Sequence, residues 1–251
     1  MKKTTTICAA VLLACASLAQ AASGDAAEHP SVKRPTSMPP SADLNYTINA
    51  KQHGLTINGT ASVQWRAGDG KYSIVTESRA AIFGKILENR SEGAIDDFGL
   101  APVTFTEKRF RKDPYTTSFK RDAKTISFSI DDTTYPIKGG EQDRSSAQWQ
   151  LAAQARATPD KFKPGSEWQY FVAGRRDAEV WSFKVVNTEA VKIGGGEVQA
   201  LHLTKAPSAD KEGQQVELWL APSLDWYPVR VRFNDADGDF VDQILEKVVK
   251  K

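Results

Sequence analysis

The 251-residue chain carries 33 Lys and Arg against 31 Asp and Glu, a formal net charge of +2, with only two cysteines, Cys8 and Cys15. Lys2 and Lys3 account for the surplus, so the rest of the chain is balanced and lacks the basic footprint of a nucleic-acid binder. Loss of the first 21 residues would leave no thiol, which excludes disulfides, thiol catalysis and cysteine-ligated zinc from the remainder.

The first residues, MKKTTTICAAVLLACASLAQA, combine charged Lys2 and Lys3, a short apolar run from Ile7 to Ala14, and the small-x-small site Ala19-Gln20-Ala21. That pattern predicts a secretory signal peptide over residues 1–21 and a periplasmic mature chain; the run is too short to span a membrane. Leu12-Leu13-Ala14-Cys15 also resembles a lipobox, so a lipid anchor at Cys15 is the minor alternative. No later apolar run is long enough for a transmembrane helix. Residues 22–43 hold Pro30, Pro35, Pro39 and Pro40, four of the twelve prolines, with little that is large and apolar. They read as a disordered tether. Residues 44–251 fit a single β-rich domain.

From Leu44 the chain alternates. Leu44, Tyr46 and Ile48 share one face, then Leu55, Ile57, Ala61, Val63 and Trp65, with a turn at Gln52-His53-Gly54. Gly68-Asp69-Gly70 is a hairpin signal. Ala80 to Leu87 fits a strand or a short helix. Further strands are expected around Val103 and Phe105, and on either side of Lys120 to Lys124. Gly194-Gly195-Gly196 marks another turn. Val216, Leu218 and Leu220 share a face, as do Val229, Val231 and Phe233. About ten or eleven strands at hairpin spacing with a period of two predict a mainly β fold, a curved antiparallel sheet forming a half-barrel.

One segment breaks the pattern. EQDRSSAQWQLAAQAR, residues 141–156, is alanine-rich and helical. Ser145 and Gln148 have capping-box spacing, Asp143 adds negative charge at the start, and Pro159 and Pro164-Gly165 end it. Ala147, Leu151 and Ala155 recur every four residues, with Trp149, Ala152 and Ala153 widening the stripe. A single helix of this kind would cover the concave face of the sheet.

SEGAIDDFGLAPVTFTEKRFR, EQDRSSAQWQLAAQARATPDKFKPG and VELWLAPSLDWYPVRVRF together resemble the signature segments of DUF3108, a family of exported bacterial proteins without an assigned activity. The shared pieces are Gly99-Leu100-x-Pro102, Gln142-Asp143-Arg144, and Trp219-Leu220-Ala221-Pro222 with Pro228. The last segment is also similar to the lipoprotein carriers of the LolA and LolB type. That likeness implies a half-barrel with its concave face plugged by helix, holding acyl chains.

The candidate ligand residues are Trp65, Phe83, Phe105, Phe128, Trp149, Leu151 and Trp219, which would line an apolar pocket between helix and sheet. The competing reading makes them a filled core. Gln142, Asp143 and Arg144 form the second candidate: Arg144 either meets an anionic headgroup or another protein at the cavity mouth, or clamps a nearby carboxylate or carbonyl while Asp143 caps the helix. Asn234 to Phe240, NDADGDF, has aspartates beside Gly238 but Ile244 where a calcium loop needs Glu, and reads as a hairpin turn. His29, His53 and His202 are scattered and make no metal signal, and no cofactor motif or nucleophile elbow is found. The expectation is a non-enzymatic envelope protein whose partner is a lipid, acyl chain or lipidated protein. The alternative is an envelope assembly factor with a filled core, acting through its surface. Nothing in the pattern sets an oligomeric state.

Overall fold

The computed structural model describes residues 29–206 and 214–251. The expected signal peptide, the lipobox and residues 22–28 lie outside the described residues. Among the described residues fifteen strands follow in chain order. The first eight are β1 (Ala42–Gln52), β2 (Leu55–Gly68), β3 (Lys71–Ala80), β4 (Gly84–Asp96), β5 (Gly99–Arg109), β6 (Tyr115–Lys120), β7 (Thr125–Phe128) and β8 (Asp131–Pro136). The two-residue β9 (Gln142–Asp143) leads into the helix α1 (Ser146–Ala157). Then come β10 (Glu167–Ala173), β11 (Ala178–Ile193), β12 (Gly196–Lys205), β13 (Gln215–Ala221), β14 (Tyr227–Asn234) and β15 (Phe240–Lys250).

All belong to one sheet in the order β8-β7-β6-β5-β4-β3-β2-β1-β15-β14-β13-β12-β11-β10-β9. Every pairing is antiparallel except β9 with β10. The expected curved antiparallel sheet with one helix is found. The strands outnumber the ten or eleven counted from the sequence, partly because residues 115–136 make three short strands and β9 is only two residues long. The turn signals hold for a geometric reason. His53-Gly54 and Asp69-Gly70 have φ of 51°, 79°, 51° and 69°, the left-handed pair that a two-residue hairpin demands. NDADGDF is likewise the β14–β15 hairpin, and Ala80 to Leu87 is the β3–β4 hairpin.

The alternation sorts side chains between the two faces. In β1, Ala42, Leu44, Tyr46, Ile48 and Ala50 are buried on the concave side. Strong curvature brings the two ends of the sheet together. Phe119, Ile126 and Phe128 pack against Phe171, Ala173 and Ala178, and Thr117 Oγ1 donates to the Gly174 carbonyl at 2.8 Å. Gln142 Nε2 donates to the Leu100 carbonyl at 2.8 Å, tying β9 to β5. The ends meet through side chains, with no ladder between them, so the sheet remains open.

Helix α1 lies inside this curve. Its residues from Ser146 to Ala155 are buried with one exception, Gln148. The expected single apolar stripe is therefore a helix surrounded on nearly all sides. Trp149 joins the cluster of β1, β2 and β14, stacked on Trp65 at 4.3 Å. Leu151 joins a second cluster made by β10 to β14. The capping box is also corrected. Ser145 makes no side-chain cap; its hydroxyl donates to Asn89 Oδ1 instead. Asp143 does the capping, with Oδ1 accepting from the Ser145 and Ser146 amides, both at 2.8 Å.

The tether reading fails from His29 onward. Residues 29–41 form an extended strap across α1. The Ser37 amide donates to the Ala153 carbonyl at 2.9 Å. Trp65 Nε1 donates to the Pro39 carbonyl at 3.0 Å, and the Tyr227 hydroxyl to the Pro40 carbonyl at 2.8 Å. Prolines keep the strap extended and leave carbonyls free to accept; this composition fits a covering segment as well as a loose one. Among the described residues no helix is long and apolar enough to cross a membrane.

Candidate functional site

The half-barrel has two unlike ends. At one, the β2–β3 and β4–β5 turns gather around α1 and the strap. There Gln150 Oε1 accepts from the Leu100 amide at 2.8 Å and its Nε2 donates to the Phe98 carbonyl at 2.6 Å. At the other end stand the β1–β2, β3–β4, β5–β6 and β14–β15 turns, and between them opens a cavity of about 570 Å³. That volume lies within the range of roughly 300–1,000 Å³ typical of small-molecule sites.

Alternate strand positions make the apolar wall: Tyr46, Ile48 and Ala50 from β1, Phe105 from β5, Val231 and Phe233 from β14. The Tyr46 hydroxyl is used up in a 2.8 Å bond to the Pro228 carbonyl, and burial pushes its pKa well up. The N-terminal end of α1 closes the inner side with Ser145 and Gln148. Nearer the mouth the wall becomes charged. Arg109 holds Glu107 at 2.6 Å; burial opposes the guanidinium charge, but Glu107 outweighs it and keeps Arg109 above its ordinary value. Lys205 lies 3.9 Å from Glu179 and over the Trp181 ring at 4.9 Å. Arg144 is exposed, faces the cavity and lies against Gly174.

Of the seven residues expected to line a pocket, only Phe105 does. Trp65 and Trp149 are fully buried against each other and fill the plugged end. Leu151 is buried beneath the helix, and Phe128 lies in the seam between the sheet ends. Trp219 is buried away from the cavity: its Nε1 donates to Glu189 at 2.6 Å, with His202 stacked on it at 4.3 Å and Arg230 over it at 4.6 Å. Phe83 is 56 % exposed at a hairpin tip. The open space therefore lies beside the helix's N-terminal end, toward the mouth, and the volume between helix and sheet is filled. The residues missed, such as Tyr46, Ile48, Val231 and Phe233, sit on strand faces that alternation had already marked.

The second candidate divides. Asp143 is wholly buried, and its Oδ2 accepts from Ser91 Oγ at 2.5 Å, itself 3.0 Å from the Tyr72 hydroxyl. Burial pushes this carboxyl up to about 6. Gln142 and Asp143 are structural, and only Arg144 reaches the cavity. The three histidines stay apart. His29 meets Glu141 at 3.2 Å, His53 lies by Asp239, and His202 meets Glu217 at 3.0 Å.

A family model described as a protein of unknown function, DUF3108, matches residues 45–244. The chain belongs to the DUF3108 family. No curated protein matches it. Two solved structures are similar over most of their length. One is a Bacteroides fragilis protein described as exported and as having a YmcC-like fold, at 11 % identity, covering 88 % of this chain and 100 % of that one, with a TM-score of 0.31. The other is a DUF1329 family protein from Desulfovibrio piger, at 10 % identity, covering 85 % and 86 %, with a TM-score of 0.27. The pieces of this chain that resemble DUF3108 have structural reasons. Gly99, at φ of 101°, has the Gln150 amide where a Cβ would stand, 2.4 Å away. Gln142 joins β9 to β5, and Asp143 starts the helix.

Proposed function

We propose that this DUF3108 protein is a periplasmic binder of an apolar or amphipathic ligand, a lipid or acyl chain held in the half-barrel cavity, without turnover. The observation that carries this reading is the cavity itself: an open volume with apolar strand faces inside and charged pairs at the mouth, in a sheet whose other end is sealed. The acids near the mouth are neighbours of bases, Glu107 with Arg109 and Glu179 with Lys205, which suits a rim that orients a polar end. Each methylene transferred from water into the wall would contribute about 0.8 kcal/mol, so a short chain suffices for useful affinity. The filled-core assembly factor is less well supported, because the core is filled only at the plugged end.

The test is native mass spectrometry of protein extracted from the periplasm without detergent, together with uptake of a fluorescent fatty acid. Expected are a co-purifying lipid mass and saturable uptake. Narrowing the wall with Ala50→Trp should reduce uptake about tenfold, the loss of roughly two methylenes of burial. Apo protein only, with no uptake, overturns the reading.

A further inference from the structure

Hairpin tips are ordinarily polar, yet two at the cavity mouth carry exposed apolar side chains. At the β3–β4 turn Ile82 is 88 % exposed and Phe83 56 %; at the β5–β6 turn Phe110 is 43 % exposed. The Phe83 and Phe110 rings stand 6.3 Å apart, so the two turns present one apolar patch. Single exposed apolar residues need no explanation, but a contiguous patch of this kind marks an interaction surface.

The charge around the patch says what it meets. Lys108-Arg109-Phe110-Arg111-Lys112 sets four bases about one aromatic, followed by the single acid Asp113. Arg109 is held by Glu107, and Arg79 and Lys85 by Glu77. Arg111 lies over the Phe110 ring at 4.9 Å, and Lys108 and Lys112 are exposed. The β14–β15 turn is acidic instead, with Asp237 exposed, Asp235 half-buried and Asp239 buried against the His53 amide. A basic, aromatic patch beside an opening complements an anionic lipid bilayer: the rings enter the boundary below the headgroups while the bases meet the phosphates.

We propose that the Ile82-Phe83 and Phe110 tips, with Lys108, Arg111 and Lys112, dock the protein on an anionic bilayer. Docking this way sets the cavity mouth beside the membrane. It requires no ligand in the cavity, so it stands or falls apart from the binding reading.

The experiment is co-sedimentation of the mature chain with phosphatidylcholine vesicles, with and without phosphatidylglycerol. Binding is expected to the anionic vesicles, weakened by high salt and about tenfold weaker or more to the neutral ones. Phe83→Ser with Phe110→Ser, and separately Lys108→Glu with Arg111→Glu and Lys112→Glu, should each reduce anionic binding about tenfold or more at unchanged Tm. No binding to anionic vesicles overturns the proposal, as does equal binding by the wild type and both folded variants. Fatty-acid uptake measured in parallel separates the two ideas: uptake without vesicle binding removes docking alone, and vesicle binding without uptake removes the cavity reading alone.

Discussion

Two tryptophans that stack face to face do unequal work. Trp65 Nε1 reaches the Pro39 carbonyl, whereas Trp149 Nε1 has no partner among the described residues. Trp65→Phe should therefore cost about 1–3 kcal/mol more than Trp149→Phe, because it leaves a buried carbonyl unpaired as well as shrinking a ring. Denaturant midpoints compare the two; equal losses would show that the strap bond contributes nothing. Asp143 gives a pH prediction. Burial raises its folded pKa to about 6 from the ordinary value of 3.8. The folded state thus holds this proton more tightly than the unfolded chain. Its contribution is complete below about pH 4 and is lost as pH rises through about 6, about 3 kcal/mol in all. Asp143→Asn keeps a capping oxygen and cannot ionise, so its stability should fall less between pH 4 and 7 than the wild type's. Parallel Tm profiles would refute this. Sequence signalled the role of Asp143 as a cap but not its burial, since a carboxylate before a helix looks the same exposed or enclosed.

At the scale of elements, α1 and its strap act together. A chain begun at Ala42 loses the Ser37, Pro39 and Pro40 bonds and exposes the helix. At about 1 kcal/mol for each bond, with a further cost for the orphaned Trp65 and Tyr227 donors, it should lose several kcal/mol. Calorimetry of the shortened chain checks this, and an unchanged Tm would mean the strap merely lies on the surface. Helix, hairpins and strand faces were legible because each is a local pattern: period two, period 3.6, and turns that require positive φ. The strap was not, because extended proline-rich chain has the same composition whether packed or free. The cavity was not either. Choosing candidates by aromatic size finds the residues that fill space, and Trp65, Trp149 and Phe128 do so. Empty volume lies where medium-sized residues and charges face one another, and that depends on which strands curl toward which.

At the scale of the whole molecule, the seam joining Phe119, Ile126 and Phe128 to Phe171 governs how the curve closes. Phe171→Ala should cost about 3–5 kcal/mol and raise hydrogen exchange in β6 to β8 before the rest of the sheet. Uniform exchange across all strands would show instead that the molecule opens as one unit. The seam has a further consequence. In a barrel closed by backbone ladders, girth changes only in whole steps of strand number and stagger. Here closure rests on packed side chains and on the Thr117–Gly174 and Gln142–Leu100 bonds, so no strand number or stagger fixes the circumference. A change of girth would therefore leave every ladder in register and would need only that these few phenylalanines repack and the two bonds re-form.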